Sequence, residues 1–115
     1  APLAAQLQEA TQRMVAATQA LLPVMGKEPA RGLANASVYL ELVSRVVYGA
    51  LWLRQAVVAE AALAAGARGD DRAFYEGKLQ AARFYFGFEL PKHTVDADVL
   101  VRNEASAFEM LPGWF

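Results

Sequence analysis

The sequence predicts an all-α chain, an antiparallel up-and-down four-helix bundle. Three observations carry this. Apolar residues recur at spacings of three and four. Strand signals are nearly absent, because threonine is scarce and no β-branched run alternates with polar residues. Glycine and proline cluster at Pro23 to Gly32, Gly66 to Gly69, Pro91 and Pro112-Gly113, and they cut the chain into Ala-rich segments with short connections. At 115 residues the chain is one domain, with a real but modest core.

The first helix is expected over residues 2–22, where Leu3, Leu7, Ala10, Met14, Ala17 and Leu21 make one stripe. The second is expected over 34–65. Leu42, Val43, Val46, Leu53, Val57, Ala61 and Ala64 give it a wide apolar arc, with Ser37, Glu41, Ser44 and Gln55 opposite. A helix so apolar should lie centrally. The third is the stretch FYEGKLQAARFYFGFELP, residues 74–91, capped by Gly69-Asp70-Asp71. Its polar residues Glu76, Gln80 and Arg83 fall in one narrow stripe with Gly87. Most of its rings should therefore pack inside rather than form a platform for bases. The fourth is expected over 93–109, with Thr94, Asp96 and Asp98 available as caps.

Several function classes are disfavoured by composition. Net charge is −1, which gives no field for nucleic acid or acidic lipid. Cysteine is absent, which leaves no disulfide or thiolate metal site and suits the reducing cytoplasm. The longest apolar block, VVYGALWL, is fenced by Arg45 and Arg54, so no membrane span is expected. No secretory leader pattern opens the chain. It starts without Met, inside an expected helix, which suggests a fragment of something longer.

His93, Asp96 and Asp98 stand close enough to be weighed as a metal trio, but three such residues at a helix start read better as caps. Gly49 and Gly77 lie inside helices, where glycine costs about 1 kcal/mol. Each is expected to admit a close neighbour. Lys78 lies in the middle of an apolar arc. It is expected to pair with Glu60 across the hairpin, the alternative being that it snorkels to the bundle edge. Trp114-Phe115 is expected to fold back onto apolar surface.

Residues 34–91 carry two signatures. One is Ala34-Asn35-Ala36 with Tyr39-Leu40, Val46-Val47-Tyr48-Gly49 and Ala56. The other is Phe74-Tyr75-x-Gly77-Lys78 with Ala82-Arg83-Phe84-Tyr85 and Leu90-Pro91. Together they resemble the extra C-terminal helical domain of a subgroup of bacterial acyl-CoA dehydrogenases, the subgroup of methylmercaptopropionyl-CoA and long-chain enzymes. The resemblance implies a parent that binds FAD and oxidises acyl-CoA at the α,β carbons. It also implies that this domain is a structural or oligomerisation module, with the rest of the enzyme and further copies as partners. Gly77, Lys78, Arg83 and Tyr85 then read as architecture. In that family a Tyr-Glu-Gly-Thr loop can carry the catalytic glutamate. Here Tyr75-Glu76-Gly77 is followed by Lys-Leu-Gln, and Glu76 belongs to the polar stripe. No residue of this chain is therefore assigned a catalytic, cofactor-binding or metal role, and FAD is expected in the parent only. The rival reading is a free-standing helical interaction module.

Overall fold

The structure, a computed structural model, describes residues 2–115. Helix α1 spans Pro2–Lys27, α2 Pro29–Leu33, α3 Ala36–Ala64, α4 Gly69–Phe84 and α5 His93–Val101. Between α4 and α5 run a π-helical turn, Tyr85–Glu89, and a 3₁₀ turn, Leu90–Lys92. No strand occurs among the described residues.

Two boundaries differ from expectation for clear local reasons. Helix α1 continues through Pro23 to Lys27, and the break falls at Glu28. A proline removes one helical donor without ending the helix if the carbonyl it frees can face solvent, and Pro23 is exposed. Helix α5 stops at Val101 instead of reaching 109. Asn103 takes a left-handed φ of 49°, and the amides of Asn103 and Glu104 return to the carbonyls of Leu100 and Val99. That is the Schellman closure. Gly66, at φ 95°, closes α3 the same way through Leu63 and Ala62. The expected side-chain caps do not form. No side chain caps α4 or α5, and Asp70 and Asp71 sit in the first turn of α4, where they favour its positive end by charge.

Helix α3 is central, as its wide apolar arc requires. Helix α1 runs antiparallel to it, with Thr18 Oγ1 2.8 Å from the Tyr39 hydroxyl near one end and Leu7 against Gly49 further along. Helix α4 returns antiparallel after the Gly66–Gly69 turn, and the Tyr85 hydroxyl reaches the Arg45 carbonyl at 2.6 Å. The predicted up-and-down order fails after Pro91. Arg45 meets Asp96, and Asn35 Nδ2 meets the Glu104 carbonyl at 2.8 Å. Helix α5 therefore continues along α3 in the direction of α4 and does not turn back. The architecture has three rods, with α1 and the rod of α4 extended through α5 each antiparallel to the central α3.

The π turn makes that continuation work. Pro91 cannot donate a hydrogen bond. The Leu90 amide bonds the Tyr85 carbonyl, five residues back. An α-helix turns residues spaced by four about 40° off line at each step, and the wider turn offsets this drift. Ala82, Phe86 and Leu90 stay buried in succession. Two core clusters result, around Val46, Phe86 and Leu90, and around Leu42, Ala97 and Leu100.

The result is thin. The radius of gyration is 18.8 Å, where a compact chain of this length needs about 13 Å. The extents are 63 × 30 × 17 Å. Leu3 of α1 packs in the same cluster as Leu53, so α3 beyond that level has only α4 beside it. The expectation that the rings of 74–91 pack inside is overturned as a consequence. Phe86 is buried, but Phe74, Phe84 and Phe88 are exposed, with Phe84 and Phe88 stacked at 4.9 Å. The tail also stays out: Trp114 and Phe115 are exposed, although Arg31 holds Phe108 and Glu109 near α2.

The two helical glycines divide. A Cβ on Gly49 would lie 3.0 Å from Leu7 Cδ1 and 3.4 Å from Leu90 Cδ1, so close approach explains it. A Cβ on Gly77 would meet nothing within 4 Å, so the expected close neighbour is absent within this chain. Gly77→Ala should accordingly raise the stability of the chain by about 1 kcal/mol in urea unfolding, and Gly49→Ala should show no such gain.

Candidate functional site

The chain concentrates its buried charge at one point. Arg45 sits where α3 faces the π turn and α5. Its Nε donates to Asp96 Oδ2 at 2.8 Å, and its Nη1 lies 3.4 Å from the Glu89 carbonyl and 3.5 Å from Glu89 Oε2. Glu41 adds a looser contact at 3.7 Å. The two main partners are little exposed, 19% for the Arg45 side chain and 12% for Asp96. Burial pulls the Arg45 guanidinium toward a lower pKa. The hydrogen bond and charge of Asp96, with Glu41 and Glu89, outweigh this and hold it above the usual arginine value. The Tyr85 hydroxyl donates to the Arg45 carbonyl, and burial raises its pKa.

This hub is structural in kind. Its donors and acceptors are spent on each other, across three elements. Sequence reasoning missed it, noting Arg45 only as a fence and Asp96 only as a cap or a member of a metal trio. The available signal was that Arg45 lies between Leu42-Val43 and Val46-Val47 on a helix too apolar to leave a buried charge unpaired.

The other singled-out residues do not converge. Asp98 pairs with Arg102 at 3.0 Å and faces solvent, while Asp96 belongs to Arg45. No cluster of three His, Asp or Glu suited to a metal occurs among the described residues. His93 is buried, with Nδ1 lacking a hydrogen-bond partner. Burial lowers its pKa, and the nearby Arg13 charge lowers it further, against smaller opposing effects of Glu9 and Asp96. Glu76 is exposed and pairs with Arg72 at 2.9 Å.

The Lys78–Glu60 pairing is overturned. Lys78 Nζ lies over the Trp52 ring at 5.7 Å and over Phe74 at 5.3 Å, and Glu60 is exposed. The hairpin register sets Lys78 opposite Trp52, about two helical turns before Glu60. Two rings beside the ammonium give cation–π attraction in place of a carboxylate.

The remaining candidate is a surface. Lys78 lies in a groove of about 480 Å³ between α3 and α4, lined by Leu51, Arg54, Gln55, Val58, Phe74 and Tyr75. Around it, Leu40, Val47, Leu51 and Val58 make an exposed row on α3, and Phe84 and Phe88 are exposed beyond it on the α4 side. Such contiguous apolar exposure marks an interaction site. Helix α3 is also long and apolar enough to cross a membrane by length and composition, although the sequence suggested no span. Its inner side is a protein core, with Arg45 held by Asp96. The groove carries two cations, Arg54 and Lys78, among apolar residues.

Two outcomes follow from the buried groups. Arg45→Met should cost about 3–5 kcal/mol in urea unfolding by leaving Asp96 buried and unpaired, and adding Asp96→Leu should recover much of that loss. Burial holds the His93 pKa in the fold below the ordinary value of 6.5 near which the unfolded chain takes up the proton. Stability at pH 7 and above is therefore free of this effect and should fall as pH drops through that value. His93→Gln should flatten the fall, as read by melting temperature against pH.

Residues 1–111 match the family described as "Acetyl-CoA dehydrogenase C-terminal like". A 76-residue alignment to the broad-specificity linear acyl-CoA dehydrogenase FadE5 of Mycobacterium tuberculosis shows 42% identity and covers 59% of this chain. The same alignment covers only 12% of that relative's length. The chain belongs to the acetyl-CoA dehydrogenase C-terminal-like family.

Proposed function

We propose that this chain is the C-terminal helical domain of a longer, FAD-dependent acyl-CoA dehydrogenase, of the subgroup with an extra domain, working in the cytoplasm. It is non-catalytic by itself. Its role is to build the oligomer and cover the surface of the catalytic domains. The observation that carries this reading is the open apolar face of α3 and α4, with Leu40, Val58 and Phe88 each more than 60% exposed. A thin domain with such a face is incomplete alone. Apolar burial is worth about 25 cal/mol per Å², so covering the face strongly favours association. The charge hub supports the reading from the other side, because the Arg45–Asp96 pair ties α3 to α5 and leaves the outer side of α3 free. Flavin and acyl-CoA would be bound by the domains before this one.

Light scattering and absorbance on the purified 115-residue chain test the reading together. The expected result is a colourless protein whose mass exceeds that of one 12.5 kDa chain. A clean monomer at high concentration would contradict the assembly role. Yellow flavin near one per chain would contradict the non-catalytic role.

A further inference from the structure

We propose that the outer face of α3 pairs with α3 of a second copy, antiparallel, about a two-fold axis at the level of Gly49. The inference rests on the assembly role above, and it names the face, the partner and the register.

The stripe is Leu40, Ser44, Val47, Leu51, Arg54 and Val58, with separations alternating four and three. That is the coiled-coil seam spacing. It lies opposite the buried side of α3, where Leu42, Val46 and Gly49 face the core. Its four apolar members are 66%, 51%, 46% and 61% exposed in chain order.

The order of residues along the stripe selects the register. Leu40 and Val58 stand equally far from residue 49, as do Ser44 and Arg54, and Val47 and Leu51. An antiparallel pair centred there sets apolar against apolar at four levels. At the other two it sets the Arg54 guanidinium against the Ser44 hydroxyl, an acceptor. A parallel pair would set each residue against its own copy and bring two Arg54 charges together, which is unfavourable. A two-fold pairing of this kind is closed and self-complementary.

Charge agrees. Arg54 and Lys78 both line the groove beside the seam, and neither has an ion-pair partner among the described residues. Glu41 is 62% exposed and flanks the seam on the same side as Gln55. In antiparallel helices like flanks meet, so Glu41 of the second copy comes beside Gln55 at the mouth of that groove. It supplies the acid that the groove lacks.

The absence of cysteine makes a direct test available. Leu40→Cys and Val58→Cys are prepared as separate variants of the chain, both at exposed positions, with folding checked by circular dichroism. Each is treated with a short bis-maleimide, alone and mixed. The expected result is a cross-linked dimer from the mixture and only background from either variant alone, because like positions stand about 27 Å apart in this register. Cross-linking of Leu40→Cys alone would show parallel pairing and overturn the proposal. No cross-link from a mixture that light scattering shows to be associated would overturn the α3 seam but leave the assembly role standing. A monomeric mixture would overturn both.

Discussion

The ion pair between Arg45 and Asp96 is the constraint on which the rest of the structure depends. Arg45 lies on a helix whose buried residues are apolar, and with its side chain only 19% exposed its charge needs a partner. Asp96 meets it from α5 at 2.8 Å. For Asp96 to be there, the chain after Pro91 must keep the direction of α4. A fourth helix turning back would carry Asp96 away. The π turn at Tyr85–Glu89 and the 3₁₀ turn at Leu90–Lys92 are the local conformations that allow this path. They also deliver two further groups to the same place, the Tyr85 hydroxyl and the Glu89 carboxylate.

Much of the fold was legible in the sequence. The helical class, the central place of α3, the turn at Gly66 to Gly69 and the tight contact at Gly49 all follow from short-range rules about spacing and steric room. What was not legible needed knowledge of register or of neighbours. Lys78 was matched to Glu60 by counting from the turn, and the count placed it about two helical turns off, so the ammonium found Trp52 and Phe74 instead. Asn103 ended α5 early through a left-handed residue, a role that glycine usually signals and asparagine signals faintly. The rings of residues 74–91 were expected inside because the polar residues of that stretch fall in one narrow stripe. Periodicity shows that a face is apolar without showing which chain covers it.

That last point connects fold to function. Helix α3 is apolar on two sides, and within this chain only one of them is covered. The inner side holds Leu42, Val46 and Ala56, and the outer side leaves Leu40, Val47 and Leu51 in solvent. A single small domain gains nothing from the outer row. It is intelligible as a surface kept for further protein, which is the role proposed for this family member beside a flavin-carrying catalytic body. Phe84 and Phe88 on the α4 side are exposed as well.

Hydroxyl-radical footprinting of the isolated chain, diluted until light scattering shows it monomeric, beside a longer enzyme that carries it measures this directly. If the outer face is covered in the assembly, Leu40, Leu51, Val58, Phe84 and Phe88 lose reactivity there, while Phe86 is unreactive in both. Equal reactivity of the exposed five in both proteins would contradict the interface role of α3 and α4.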